Sequence, residues 1–247
     1  MVLEHGIPVP VGSEEDLKHI CLGHKRSGGG EGLGRRRIPI TSDIVSSAPL
    51  AFIYHNFLSK KECEYLIKLA TPHMAKSLVS DNETGKGIES KARTSYGMFL
   101  KRGQDKVIRG IEKRIADYTL IPVENGESLY VLHYEKGQKY DPHYDYSDGG
   151  STTRNGGPRM ATFLMYLSDV EEGGETVFPS AKGNIEKKGI SIKPKMGDAL
   201  LFWSMNHDGT LDPLSLHGSS PVIKGDKWSC TKWMHVDEHK IGKTKGV

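Results

Sequence analysis

The sequence has 247 residues, of which 36% are apolar, and this is enough for one large domain with a single hydrophobic core. The net charge of +3 nearly balances and therefore argues against a protein that binds nucleic acid through overall positive charge. The three scattered cysteines argue against a disulfide framework or a zinc site, and no apolar run resembles a signal peptide or membrane-spanning helix, so we expect a soluble protein whose membrane association would need a segment absent from this chain.

Residues 1–45 are predicted to form a flexible tail, because residues 27–34 are rich in glycine, which raises the entropy cost of ordering the chain. Order is expected to begin near Pro49. The predicted domain covers residues 46–240, and residues 241–247 are a second, shorter tail.

The first part of the domain contains one predicted strand, at residues 50–54, and two predicted helices. Ser59 and Glu62 have the spacing of a capping box, which predicts a helix from there to about Met74. A second helix is predicted at residues 105–118 from an apolar stripe at helical spacing. Residues 76–91 hold many turn formers, so we expect a long exposed loop there, either a lid or a disordered segment.

From Ser128 onward the pattern changes to short apolar strands divided by glycine, proline and aspartate turns. The predicted strands are residues 129–134, 161–167, 176–178, 190–192, 199–203 and 228–236. Helices followed by many short strands predict an α+β fold with a barrel or jelly-roll core.

His143 and Asp145 are the first candidate metal ligands. They are two residues apart, so in an extended chain both side chains point to the same face. With one more histidine they would form the two-histidine, one-carboxylate triad that leaves positions open on an octahedral iron.

Such a pair is weak by itself, and the sequence contains two rivals, His235 with Asp237 and His133 with Glu135. The first rival lies too near the end of the sequence, where only His239 follows. His133 alternates within an apolar strand, which favours a satisfied barrel histidine.

His217 is the favoured third ligand, because it lies in a strand-like segment, and it is preferred over His207, which lies in a predicted loop. Lys227 follows at the start of the last strand. Its charge would balance a site that contains iron(II), one aspartate and a dianionic 2-oxoacid. Without the triad, an exposed turn lysine would be the better interpretation.

With these residues in place, the sequence closely resembles the plant-type prolyl 4-hydroxylases. The resemblance is carried by residues 131–146, with the sequence VLHYEKGQKYDPHYDY, by residues 164–179, which include EEGGET, and by residues 194–204 and 217–233. It extends from about Pro49 to Val236, which is most of the chain.

The resemblance implies a double-stranded β-helix and an enzyme of the procollagen-proline 4-dioxygenase type. Such an enzyme uses iron(II), dioxygen and 2-oxoglutarate to hydroxylate proline in proline-rich cell-wall or collagen-like peptides, with ascorbate as reductant. It implies that His143, Asp145 and His217 bind iron and that Lys227 pairs with 2-oxoglutarate, helped by Tyr134 and Thr176. It also implies a set of peptide-binding residues: Arg93, Ser95, Tyr140, Arg159, Trp233 and His235.

The resemblance further implies a location in the endoplasmic reticulum or Golgi. Relatives commonly carry an N-terminal membrane anchor, and none is visible in this sequence. Where relatives tend to carry a cysteine, this chain has Ser219 and Ser220.

Three other functions are weighed against this one. A nucleic-acid demethylase of the same class would use arginines after the distal histidine, and no arginine follows Arg159. A silent module that binds proline-rich peptides would not need three metal ligands and a buried lysine. A structural metal site of the cupin type would leave Lys227 without a role.

Overall fold

A computed structural model describes residues 39–80, 87–146, 155–182 and 188–240. The strands within these ranges are β1 (Thr41–Ser47), β2 (Leu50–His55), β3 (Ala75–Lys76), β4 (Val79–Ser80), β5 (Gly87–Ile88), β6 (Tyr96–Leu100), β7 (Leu129–Tyr134), β8 (Tyr140–His143), β9 (Arg159–Tyr166), β10 (Glu172–Gly173), β11 (Thr176–Lys182), β12 (Lys188–Ile192), β13 (Ala199–Trp203), β14 (His217–Ser219), β15 (Val222–Lys224) and β16 (Lys227–His235). The α-helices are α1 (Lys60–Ala70) and α2 (Lys106–Thr119).

Two antiparallel sheets form the body of the domain. The larger sheet has the order β1-β2-β13-β9-β16-β7-β6-β3, and the smaller one has the order β12-β11-β14-β8. Phe178 of the smaller sheet packs against Tyr166 and Phe202 of the larger one, so the sheets lie face to face. This arrangement confirms the predicted α+β class with a double-stranded β-helix, or jelly-roll, core.

Both predicted helices are present. The Ser59 hydroxyl accepts a hydrogen bond from the Glu62 backbone amide, and the Glu62 carboxylate accepts one from the Ser59 backbone amide, which confirms the capping box of α1. Asp105 caps α2, whose buried stripe of Ile108, Ile111 and Ile115 packs in the main core. In the described part of the chain, no helix combines the length and apolar character needed to cross a bilayer.

Strand β16 shows how the larger sheet separates two environments. Successive side chains of a strand point to opposite faces. Lys227, Ser229, Thr231 and Trp233 line a cavity between the sheets. Cys230 and Met234 belong to the main hydrophobic core instead, together with the helices.

Two expectations about the N-terminal half are wrong. Order begins before Pro49, because residues 41–47 form β1, which pairs with β2 in the larger sheet. The predicted loop at 76–91 contributes strands β4 and β5, which pair with each other, although residues 81–86 lie outside the described ranges. Neither stretch has the long apolar run that would have indicated strands.

The predicted bounds of β7 and β13 match the observed ones, the other predicted bounds differ by a few residues, and strands such as β6 and β8 were not predicted. The tails were predicted at residues 1–45 and 241–247, of which 1–38 and 241–247 lie outside the described residues. The remaining domain boundaries stay predictions.

Candidate active site

His143, Asp145 and His217 converge at one point between the two sheets. His143 ends β8, His217 begins β14, and the two are direct cross-strand partners. The Nε2 atoms of His143 and His217 lie 3.6 and 3.5 Å from the carboxylate oxygens of Asp145. Gly218 permits this approach, since a Cβ atom there would lie 2.8 Å from the carbonyl oxygen of Tyr140.

Hydrogen bonds behind the two imidazoles fix their orientation. The Nδ1 atom of His143 lies 2.9 Å from the carbonyl oxygen of Asp141, and that of His217 lies 3.0 Å from the carbonyl oxygen of Ser215. Because a carbonyl oxygen only accepts, each Nδ1 must carry the hydrogen. Each Nε2 then presents its lone pair to the centre of the cluster, as in metal-binding histidines.

The protonation states also suit a metal ion. Burial lowers the pKa of His217 to about 4, against the opposing effect of Asp145, so its imidazole stays neutral near pH 7. Burial by itself would raise the pKa of Asp145, but His217 and His143 outweigh it and hold this pKa well below its usual range. Thr162 donates a 2.6 Å hydrogen bond to one oxygen of the Asp145 carboxylate. Two imidazoles and one carboxylate on the wall of a cavity fit an iron(II) site with open positions.

The rival histidines lie elsewhere in the described chain. His207 is exposed and outside the cluster. The Nε2 atom of His235 lies 2.9 Å from Glu127, so this histidine is already engaged. His133 stacks on Trp228, its Nε2 lies 3.5 Å from the Asp226 carboxylate, and it lies outside the cluster.

Lys227 lies at the inner end of the same cavity. Its Nζ donates to Ser219 Oγ at 2.7 Å and lies 5.2 Å from the centre of the Tyr134 ring. Lys227 is 2% exposed and makes no salt bridge with any described residue. Burial lowers its pKa to about 7, against a small opposing effect of Glu175.

Two hydroxyl groups near Lys227 have donors available. Thr176 accepts a hydrogen bond from the hydroxyl of Tyr166 at 2.9 Å, and Ser219 accepts one from Lys227. One lone pair of each hydroxyl is thus engaged within the protein, and the O–H group of each can donate to a ligand in the cavity. One ammonium and two hydroxyl donors at a closed end form a site for a carboxylate.

The outer part of the cavity is lined by aromatic rings and by Arg93, with Arg159 behind Trp233. The Tyr140 ring stacks on His143 at 3.5 Å, and the Arg93 guanidinium lies 4.6 Å from the Tyr140 ring centre. The Arg159 guanidinium lies 4.1 Å from the Trp233 ring. Arg93 Nε and Trp233 Nε1 are buried and have no acceptor within the described parts of the chain. These are two hydrogen-bond donors without a protein partner.

Most of the predicted site residues line this cavity: Arg93, Tyr134, Tyr140, His143, Asp145, Thr176, His217, Lys227 and Trp233. The other three lie directly behind them. Ser95 donates to Ser77 Oγ at 3.0 Å, while Arg159 and His235 both bind Glu127. The binding roles of all twelve residues stay predictions.

Sequence reasoning missed Glu127, Thr162 and Ser219. Glu127 accepts from Arg159 Nε at 2.6 Å and from His235 Nε2 at 2.9 Å. Burial would raise the pKa of Glu127, but Arg159 and His235 lower it to about 2. No signal in the sequence identifies these three residues, because each acts through contacts with residues distant in sequence.

The comparisons with known proteins agree with this geometry. Residues 129–235 match the model of the 2OG-Fe(II) oxygenase superfamily. The chain is 64% identical over 223 residues to probable prolyl 4-hydroxylase 3 of Arabidopsis thaliana, covering 85% of this chain and 77% of that protein. It is 56% identical to prolyl 4-hydroxylase 5 of Arabidopsis thaliana, covering 92% of this chain and 81% of that protein.

Solved structures give the same result. The complex of the viral collagen prolyl hydroxylase from Paramecium bursaria Chlorella virus-1 with 2OG is 30% identical, with a TM-score of 0.58, and the match covers 74% of this chain and 94% of that one. A prolyl hydroxylase of Trichoplax adhaerens, in complex with a hypoxia inducible factor peptide, shares the fold at 18% identity and a TM-score of 0.55, covering 75% of this chain and 83% of that one.

Proposed function

The chain belongs to the prolyl 4-hydroxylases, which are iron(II)- and 2-oxoglutarate-dependent oxygenases, and from this premise we propose that His143, Asp145 and His217 bind the iron of a peptidyl-proline 4-hydroxylase. The observation that carries the proposal is the arrangement in one cavity of a largely buried triad and a buried lysine that makes no salt bridge with any described residue. When bound, iron(II) with 2-oxoglutarate and dioxygen supplies the oxidising power that inserts one oxygen atom into a proline C–H bond and releases succinate and carbon dioxide.

The protein orients the metal ligands before any substrate arrives. The carbonyl oxygens of Asp141 and Ser215 hold the His143 and His217 rings, and Thr162 holds the Asp145 carboxylate. Such supporting contacts reduce the reorganisation that binding requires. Thr162 also connects the smaller-sheet ligands to β9 of the larger sheet.

The inner end of the cavity is proposed to bind the far carboxylate of 2-oxoglutarate. Lys227 offers the charge, while Thr176 and Ser219 offer hydroxyl donors, and the Tyr134 ring closes the site near Lys227. A buried ammonium without a counter-ion is costly, and a bound carboxylate would remove that cost. Because one charged group of the ligand would lie at the metal and the other at Lys227, the site is expected to prefer a dianion.

The outer part is proposed to bind an extended proline-rich peptide. A polyproline II helix has no internal hydrogen bonds, so its carbonyl groups need external donors. Arg93 Nε and Trp233 Nε1 are such donors, and Tyr140 and Trp233 offer flat rings for proline. The Glu127 contacts hold Arg159 and His235 beside this surface.

Three further features are proposed from the family resemblance alone. The preferred substrates are cell-wall glycoprotein or collagen-like peptides. Ascorbate is the reductant that keeps the iron in its ferrous state. The enzyme works in the endoplasmic reticulum or Golgi, which localisation of a fluorescent fusion of the complete gene product would test.

The test of the activity is reconstitution from purified components. The protein is incubated without oxygen with iron(II) and 2-oxoglutarate, then given a proline-rich peptide and oxygen. Mass spectrometry should show a gain of about 16 Da, one oxygen atom, on proline. The gain should require all four components. Tight peptide binding without any consumption of 2-oxoglutarate would contradict the proposal and favour a silent binding module.

A further inference from the structure

A row of aromatic side chains extends from the cavity to the edge of the larger sheet. Phe99 on β6 is the cross-strand partner of Tyr130 on β7, and the two rings stack with centroids 4.1 Å apart. Tyr130 lies 5.8 Å from Trp233 on β16. Trp233 is in turn the partner of Thr162 on β9, which binds Asp145. The row therefore begins at the metal centre and ends at Phe99.

The middle of this row is rigid. Tyr130 is buried, and its hydroxyl donates to Ser77 Oγ at 3.1 Å. The Tyr130 ring lies over Gly97, where any Cβ atom would collide with it. The Arg93 guanidinium lies 5.3 Å from the Tyr130 ring centre, so the row adjoins the outer part of the cavity. A preorganised row costs little entropy when a ligand binds.

Phe99 has no role in the core. It is 49% exposed, whereas the other phenylalanines are at most 4% exposed: Phe52, Phe57, Phe163, Phe178 and Phe202. The adjoining edge strand β3 pairs only with Tyr96 and Gly97 and does not reach Phe99. Tyr130 covers one face of the Phe99 ring, and the remainder of the ring is open to a ligand.

We propose that Phe99 forms an outer subsite that binds a proline ring of the same peptide, several residues away from the proline that is hydroxylated. The inference rests on the proposed peptide hydroxylase and adds a specificity-determining residue to it. The bound segment is identified by continuity, since the aromatic row leads to Phe99 from the cavity without interruption. Flat aromatic faces and proline rings pack well, and an extended proline-rich chain binds at low entropy cost.

The geometry of the larger sheet sets the distance between Phe99 and Thr162 at the metal centre. Phe99 lies three strands from Thr162, which is about 14 Å across the sheet, since strands are spaced about 4.8 Å apart. Its register matches Leu164, two residues or about 7 Å along the strand from Thr162, so the separation is about 16 Å. A polyproline II chain advances about 3.1 Å per residue, so the subsite corresponds to a residue about five positions from the reacting proline. Phe99 lies on only one side of the cavity, so peptide extension in one direction alone should strengthen binding.

The test compares peptide binding by the wild type and by Phe99→Ala. Proline-rich peptides of about three to ten residues are extended from the reacting proline at either the N- or the C-terminal end, and Kd is measured calorimetrically. We expect Phe99→Ala to raise the Kd of the longer peptides of one series by about fivefold to tenfold. The Kd of the shortest peptides should stay unchanged. Phe99→Trp should restore binding. Ile44→Ala is the matched control, because Ile44 is also exposed but lies on β1 at the opposite end of the larger sheet.

Measurements of turnover distinguish a failure of the Phe99 subsite from a failure of the proposed function. KM for the long peptides should rise in Phe99→Ala, while kcat and KM for 2-oxoglutarate stay at wild-type values. An equal effect on short and long peptides, or no effect, would overturn the subsite. A change in self-association by light scattering with unchanged Kd would assign Phe99 to a contact between copies and would also overturn it. Because Kd is measured without turnover, a wild type that binds peptide but hydroxylates nothing contradicts only the proposed function.

Discussion

Strand β16 carries two buried lysines in opposite environments. Lys232 faces the helices and forms a 2.8 Å salt bridge with Glu112 of α2, with both side chains 2% exposed. Lys227 faces the cavity, is equally buried, and has a serine hydroxyl as its hydrogen-bond partner. Burial lowers the pKa of both lysines, but Glu112 opposes this effect at Lys232.

The difference separates a structural charge from a functional one. At Lys232 the protein supplies the counter-charge, so the pair is complete and holds α2 on the sheet. At Lys227 the counter-charge is left for a ligand, and the desolvation cost stays until the ligand binds. A buried cation becomes informative about function when its environment lacks a partner and opens into a cavity.

The largest expected effect is the loss of turnover when a candidate metal ligand in the cavity is removed. Asp145→Ala should abolish iron-dependent turnover, because the metal supplies several kcal/mol of transition-state stabilisation, on the order of a thousandfold in rate. Iron binding should weaken in parallel, as measured by titration under nitrogen. The control is Asp198→Ala, which removes another buried carboxylate, one that binds His55 away from the triad. Substantial turnover in Asp145→Ala would remove it from the ligand set.

On the side of β16 that faces the helices, a substitution should change the stability of the protein instead of turnover. Lys232→Met leaves Glu112 buried without its partner and should lower the free energy of unfolding by about 3–5 kcal/mol. Adding Glu112→Leu should recover most of this loss, because an apolar pair replaces an ion pair. Urea unfolding of the single and double variants measures both steps. A single variant with wild-type stability would mean that the Lys232–Glu112 pair contributes nothing.

Lys227→Met should impair binding of 2-oxoglutarate without lowering the stability of the protein. KM for 2-oxoglutarate should rise by about thirtyfold or more, since losing one partner of a buried charged contact costs about 2–5 kcal/mol. Stability in urea should not fall, because the substitution removes a buried charge that makes no salt bridge with any described residue. An unchanged KM would assign the carboxylate contact to another residue.

A further expected effect is a pH dependence of 2-oxoglutarate binding. A bound dianion raises the pKa of Lys227 above its value of about 7 in the free protein, so binding above pH 7 takes up a proton. Affinity for 2-oxoglutarate should therefore fall by up to about tenfold per pH unit as pH rises from 7 to 9. Calorimetry in buffers of different ionisation enthalpy measures the proton uptake, and Lys227→Met should abolish it.

The same pKa has a consequence for the free protein. Burial lowers the pKa of Lys227 from 10.5 to about 7, so the unfolded chain binds more protons between these two values. Stability contributed by this residue should therefore rise with pH across that window. A wild type and a Lys227→Met variant with parallel stability profiles would contradict the lowered pKa.

Much of this architecture was readable from local patterns. The apolar stretches predicted β7 and β13 with the observed bounds, and Ser59 and Glu62 predicted the start of α1. The two-residue spacing of His143 and Asp145 placed both on one face. Short strands such as β6 and β8 escaped prediction, because few residues carry their pattern and the pairing partners are distant in sequence.

The sequence by itself determined the type and order of the main elements and the residue types from which a site could be built, because these depend on periodicity and on caps formed by near neighbours. Only the tertiary structure decided which groups meet. It placed His217 opposite His143, gave Lys232 a carboxylate and Lys227 none, and brought Glu127 to Arg159 and His235. The physical reason is that burial and hydrogen-bond partners depend on which distant strands become neighbours, and no local pattern contains that information.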